Sequence, residues 1–231
     1  MSDSARQVFD ILLERTLIPA FVSDASRGMT AASFRSETNK VTERDALDFL
    51  RGWHSGLAEH QGRGQYLFGD AHIKEQFFTS GTKAKIPRPY TLWLQPIITL
   101  GAIARLHLDY GWPASHLTAQ SSDYAFDIMA NDHVSLSIAG EVKKSAKEVE
   151  DLIRLMTEYG LDPERVEPSP QKEQNAFRKA KSLRENDANL LWIVGPDRLE
   201  HVFHVSRSDN GETVLTPGSP SDLRYSHVPA A

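Results

Sequence analysis

Two acids and a lysine carry the strongest chemical signal in this 231-residue chain: Asp127, then thirteen residues, then Glu141-Val142-Lys143. Asp127 stands in the run Tyr124-Ala-Phe-Asp-Ile-Met129, and Glu141 and Lys143 end the run Val134-Ser-Leu-Ser-Ile-Ala-Gly-Glu-Val-Lys143. Both runs are apolar and strand-like, and a charge in such a setting needs a partner. Asn131-Asp132-His133 reads as a turn between them, so the pair is expected to form a β-hairpin. Side chains two apart on a strand share a face at a separation of ~7 Å, which sets Glu141 beside Lys143. A second carboxylate, Asp127, then faces them from the neighbouring strand.

Such a set suits hydrolysis of a phosphodiester. Mg²⁺ takes hard oxygen ligands, binds through one or two carboxylates and keeps several waters. Asp127 and Glu141, with the Val142 carbonyl, are the candidate ligands for Mg²⁺, with Mn²⁺ as its substitute. Lys143 is placed to orient the attacking water or to stabilise the oxyanion. As exposed, mutually repelling acids, Asp127 and Glu141 are expected to contribute little to stability without a metal. The competing reading is an ordinary same-face Glu-x-Lys salt pair with a lone edge aspartate. Small residues on the Glu141 face, Ser135, Ser137 and Ala139, leave room for a ligand and favour the catalytic reading.

The elements around the trio must position it. Ile97 to Tyr110 is apolar nearly all round and predicts a buried helix stopped by Gly111-Trp-Pro113. Arg105 is its mid-helix charge and reads as a paired or snorkelling arginine. Ser115 to Gln120 predicts a strand. Ser145 to Tyr159 predicts a helix with Val149, Leu152, Ile153 and Met156 on one stripe, and Lys144 and Lys147 beside its start. A helix N-terminus there favours phosphate. Lys172 to Arg184 predicts a further helix with Ala176, Phe177, Ala180 and Leu183 inward. Arg178 and Lys181 lie on one flank of that stripe, and Lys172 and Lys179 on the other. Leu190 to Val194 and His201 to Val205 predict two strands joined by Gly195-Pro-Asp197. The strand spacing puts His201 and His204 on opposite faces, which argues against zinc.

Residues 95 to 206 resemble the PD-(D/E)XK, or restriction-endonuclease-like, nuclease superfamily, in the flavour of type I restriction subunit nuclease domains. Asp127 matches the motif aspartate, and Glu141 and Lys143 match its (D/E)-x-K. The order helix, strand, Asp strand, Glu-x-Lys strand, two helices, then strands also matches. The resemblance implies an α/β core, a central mixed sheet flanked by helices, and a Mg²⁺-dependent nuclease acting on nucleic acid, foremost DNA. It implies nucleic-acid contacts from Lys144, Lys147, Arg178 and Lys181, and a setting in restriction or phage defence. Phe126 stands where the motif has proline, and Thr99 to Arg105 lacks the acid that the first helix often carries. Asp123, on the Asp127 face, is the candidate replacement, although a tight regular hairpin would bring Asp123 rather than Asp127 to Glu141.

The remaining sequence sets boundaries. Residues 1 to 88 read as a mostly helical region, with a capping box at Ser4/Gln7 opening a helix to about Leu17 and Thr42 with Asp45 marking a second helix start that runs to about Ala58. Pro19 is expected to end the first helix. Tyr66-Leu-Phe68 reads as a strand and Phe77-Phe78 as part of a short helix. Gly81 to Pro89 reads as a linker, followed by the 89 to 206 core and a loose tail from 207 to 231. The N-terminal region is the expected surface for a homodimer or a partner protein. A net charge of −5 argues against a protein that coats nucleic acid by bulk positive charge, and the absence of cysteine excludes disulfides and thiolate metal sites. No apolar run reaches ~18 residues and no signal peptide opens the chain, so a cytoplasmic protein without a membrane span is expected. The alternative to a nuclease is a catalytically inactive nucleic-acid-binding or assembly subunit on the same fold.

Overall fold

The computed structural model describes residues 3–36, 40–68, 75–83, 85–119, 125–132, 134 and 136–225. They form two compact units: 1–104 with 196–198, and 105–195 with 199–231. The division falls between Ala104 and Arg105 rather than in the Gly81–Pro89 segment expected as the linker. A continuous helix crosses it, and apolar residues on both sides of that point keep the helix unbroken.

The first unit is not mostly helical. It opens with α1 (Ala5–Leu12), under the Ser4/Gln7 capping box, then a π turn over Leu13–Leu17 and α2 (Ile18–Val22). The wide turn accommodates Pro19 near the start of α2, so the helical path continues past it. β1 (Phe34–Arg35) precedes α3 (Glu43–His54), which starts at the Thr42/Asp45 capping box. β2 (Ala58–Gly62), β3 (Gln65–Phe68), β4 (Glu75–Gln76), β5 (Phe78–Ser80) and β6 (Tyr90–Leu92) form two small three-stranded sheets, β2-β3-β4 and β1-β6-β5. Phe77 is thus a bend between β4 and β5 and Phe78 opens β5, so neither is helical; Phe77 stacks on Tyr66 and Phe78 meets Phe21 and Tyr90. α4 (Leu94–Leu108) follows.

The second unit is a mixed six-stranded sheet flanked by helices. After the end of α4 come β7 (Leu117–Ala119), β8 (Ile128–Asn131), β9 (Ser137–Val142), α5 (Ala146–Gly160), α6 (Gln171–Glu185), β10 (Leu190–Val194), β11 (Glu200–Arg207) and β12 (Thr213–Pro217). The sheet order is β12-β11-β10-β9-β8-β7. All neighbours are antiparallel except β9 and β10, whose parallel pairing requires the crossover that α5 and α6 provide. α5 and α6 lie on one sheet face: Val149, Leu152, Leu155 and Met156 with Ala176, Ala180 and Leu183 pack on Met129, Ala139, Leu191 and Ile193. On the opposite face, Trp192 lies under Arg105 and donates to Glu200, which also takes the Arg105 guanidinium at 2.5 Å. Arg105 is therefore a paired structural charge.

Residues 207–225 are not a loose tail. β12 pairs in register with β11 from Phe203↔Pro217 to Arg207↔Thr213. Gly160 ends α5 so close to this strand that a Cβ would run into the Thr213 carbonyl. Beyond it Leu223 is fully buried, its carbonyl accepts from the Trp112 indole at 2.7 Å, and the Tyr225 N–H donates to the Tyr110 carbonyl. A Ser/Pro/Gly/Asp-rich composition concealed a docked edge because backbone pairing asks little of side-chain type. No helix among the described residues is long and apolar enough to cross a membrane.

Docking of the C-terminal segment predicts that Leu223→Ala destabilises the protein by about 2–4 kcal/mol, the usual range for emptying a buried leucine site. Urea unfolding checks it; an unchanged midpoint would return the segment to a loose tail.

Candidate active site

The hairpin loop fixes the register that assembles the acid pair. Asn131 pairs with Ser137, leaving residues 132 to 136 as the turn. Asp132 closes it: its Oδ1 accepts from the N–H groups of Val134 (2.9 Å) and Leu136 (2.8 Å), and its own N–H donates to the Leu136 carbonyl. This turn is longer than Asn131-Asp132-His133. With Ile128 opposite Gly140, the next pair along the same register is Asp127 opposite Glu141. A Cβ on Gly140 would stand 2.9 Å from the Ile128 Cβ, so this rung of the ladder has little room for a side chain. Asp123 and His133 lie outside the described residues.

Asp127 precedes β8 rather than lying within it. Its Oδ2 accepts the Val142 N–H at 2.8 Å, and the side chain thereby adds a rung beyond the end of the β8 ladder. Val142 itself is buried between Glu141 and Lys143. Alternation along β9 turns Glu141 to the face carrying Ala139, the face that α5 and α6 cover. Glu141 is only 2% exposed, and its in-register neighbour on β10 is Ile193. The expectation of exposed acids therefore fails: every residue of β9 is buried, because the strand is internal to the sheet and covered on both faces.

Two ammonium groups meet the buried carboxylate. Lys143 Nζ donates to Glu141 Oε1 at 2.5 Å. Lys179, from α6, brings Nζ to 2.7 Å from Oε2, an ion pair by distance without hydrogen-bond alignment at that oxygen. The same ammonium donates to the Ala125 carbonyl and lies 5.1 Å from the centre of the Phe126 ring. Sequence reasoning set Lys179 on a flank of its helix and missed its role. Its signal was position: Lys179 is three residues after buried Ala176 and four before buried Leu183, so it shares their stripe, and flanking alanines leave space for its stem.

Charge and burial set the ionisation. Burial, then the neighbouring Glu141 carboxylate, pushes the Asp127 carboxyl up to about 7, against the pull of Lys179, the Val142 N–H and Lys143. Burial works against the Lys143 ammonium, but Glu141, through its charge and hydrogen bond, and Asp127 outweigh it and hold Lys143 above the ordinary lysine range. Lys143 is thus a cation and hydrogen-bond donor at neutral pH. Among the described residues no third His, Asp or Glu completes a metal-ligating group with Asp127 and Glu141.

The four basic residues expected to meet nucleic acid are exposed: Lys144, Lys147, Arg178 and Lys181. Three have a local acid, Lys144 with Glu148 at 3.6 Å, Arg178 with Glu167 at 2.8 Å and Lys181 with Glu185 at 3.6 Å. His204, on β11, pairs with Asp222 at 3.1 Å, and no metal-ligating group of three or more His, Asp or Glu forms among the described residues. Comparison with protein-family models, curated proteins and solved structures finds no match to this chain.

The raised Asp127 carboxyl makes a signed prediction for metal-free protein. Between its unfolded value of 3.8 and its folded value of about 7 the folded state holds the extra proton, so stability falls as pH rises through this window and the full loss is present above it. The loss is at most roughly 4 kcal/mol at about 1.4 kcal/mol per unit. Asp127→Asn, which keeps an acceptor for the Val142 N–H, should flatten the pH dependence from 4 to 7 and exceed wild type in stability at pH 8. Denaturant titrations in chelator across pH 4–8 check this; parallel curves for the two proteins would refute it.

Proposed function

We propose that this protein is a divalent-metal-dependent nuclease, with DNA as its expected substrate, and that its second unit is a restriction-endonuclease-like core. One observation carries the reading: Asp127, just before β8 and bonded to the Val142 N–H, and Glu141, on β9, are buried together, with Lys143 on the Glu141 carboxylate. The succession α4, β7, β8, β9, α5, α6, β10, β11 supports it, since it follows the element order of the resembling superfamily.

The donor set fits a hard divalent cation. Two adjacent acids, one with its carboxyl raised to about 7 by burial and by the other's charge, form a site at which a cation would favour full ionisation. Asp127 and Glu141 would hold it, with the Val142 carbonyl and water completing the shell. Bound Mg²⁺ or Mn²⁺ supplies a hydroxide at neutral pH and charge on the phosphoryl oxygen. Lys143, kept protonated, acts as a donor rather than a base: it orients the attacking water and offers charge to the developing oxyanion. Exposed Lys144 and Lys147, at the start of α5, and Arg178 and Lys181, on α6, are the proposed phosphate contacts.

A second reading has its own observation. Both Glu141 oxygens already face ammonium groups, at 2.5 and 2.7 Å, so that carboxylate is compensated without a metal. That favours a nucleic-acid-binding or assembly subunit without turnover.

Cleavage of DNA and RNA over a range of Mg²⁺ and Mn²⁺ separates the two. For the nuclease, Asp127→Asn and Glu141→Gln abolish cleavage, and Lys143→Ala lowers turnover about 100- to 1000-fold with substrate affinity near wild type. Glutamine is the appropriate replacement, because Glu141→Ala would strand two buried ammonium groups and cost several kcal/mol of stability. Arg178→Ala with Lys181→Ala should weaken binding and flatten its salt dependence while turnover at saturation survives. Binding without cleavage by wild type under every metal condition would establish the second reading.

A further inference from the structure

Lys179 is in an unusual place for a lysine. Its helix buries Ala176, Ala180 and Leu183 against the sheet, and Lys179 lies on that same stripe with its side chain 12% exposed. Its ammonium has three electron-rich neighbours: Glu141 Oε2 at 2.7 Å, the Ala125 carbonyl and the face of Phe126. Carboxylate and carbonyl oxygens are also the groups a hard divalent cation takes. At most two negative charges, on Glu141 and on Asp127 when it is ionised, stand against the two positive charges of Lys143 and Lys179. Adding a divalent cation beside them leaves an excess of positive charge in a buried space, which is unfavourable unless one ammonium departs.

The two lysines differ in how readily they can leave. Lys143 directly follows β9 and is tied to β10: its N–H donates to the Val194 carbonyl at 2.8 Å, and its side chain hydrogen-bonds Glu141. Lys179 reaches Glu141 through a long stem from a separate helix, as an ion pair at 2.7 Å, and directs its hydrogen bond to the Ala125 carbonyl rather than to Oε2. We propose that Lys179 is a resident counter-cation that occupies Glu141 in the metal-free protein and is displaced from it when a divalent cation binds. This rests on the metal-dependent reading above. Lys179 is accordingly a positioning residue: it keeps a buried acid pair folded before the metal arrives, and on release places a mobile positive charge beside the site where a phosphate would lie.

The test is Mn²⁺ binding to the full chain by calorimetry, in wild type, Lys179→Met and Lys179→Arg. Removal of the competing charge should tighten Mn²⁺ binding about tenfold or more in Lys179→Met, whereas Lys179→Arg stays at or below wild-type affinity. The methionine variant should melt lower than wild type without metal and recover with saturating Mn²⁺. A merely structural lysine predicts the opposite, equal or weaker binding in Lys179→Met, and that result overturns the proposal while leaving the metal site intact. Absence of Mn²⁺ binding in both wild type and Lys179→Met overturns the proposal together with the metal-dependent reading. Lysine-reactive footprinting of the wild type needs no variant: Mn²⁺ should raise labelling of Lys179 and leave exposed Lys172 unchanged. Unchanged labelling of Lys179 at saturating Mn²⁺ also overturns it.

Discussion

A carboxylate buried in the middle of a sheet is the constraint around which the second unit is arranged. Glu141 sits on an internal strand with Ala139 before it on its face and Ile193 beside it on β10. Removing such a group from water is costly unless opposite charge and hydrogen bonds replace the lost solvent. Lys143 and Lys179 supply that replacement from opposite directions, one from the same strand and one from α6. The docking of α6 is therefore electrostatic as well as apolar. The small Ala176 and Ala180 let the helix approach the sheet closely enough for Lys179 to reach.

The same arrangement leaves Asp127 as the odd acid. The two ammonium contacts converge on Glu141, while the Asp127 Oδ2 takes a backbone N–H, and its carboxyl rises to about 7. A carboxyl raised this far by burial and a neighbouring acid occurs often at sites that handle protons or cations, and structural ion-pair networks produce such shifts too. The contrast with Arg105 and Glu200 is instructive. That pair joins one cation to one anion at 2.5 Å, shares its carboxylate with the Trp192 indole, and stacks its guanidinium over the same ring. It has no surplus acid, and burial and pairing account for it fully.

Much of this was legible in the chain. The helix–strand order of the second unit follows from apolar periodicity, Ser145 as an N-cap, and the Gly and Pro breaks. Leu190 to Val194 is a run of buried strand residues that hardly admits another reading. The pairing of Asp127 with Glu141 and Lys143 was visible as charges within apolar strands. Less legible were the small strands of the first unit and the edge strand β12. Short strands have too few residues for alternation to register, and β12 is exposed along much of its length.

The sequence by itself determined which residue types share a strand face, because a period of two is local. It thereby placed Glu141 beside Lys143 and marked Asp127 as their partner. Only the tertiary structure decided that Asp127, across a five-residue turn closed by Asp132, stands opposite Glu141. Only it decided that the acids are buried, since burial depends on α5, α6 and neighbouring strands, elements local sequence does not place, packing around β9. It also decided that Lys179, rather than Arg178 or Lys181, reaches the site, because a helix offers every flank to solvent until its neighbour is specified.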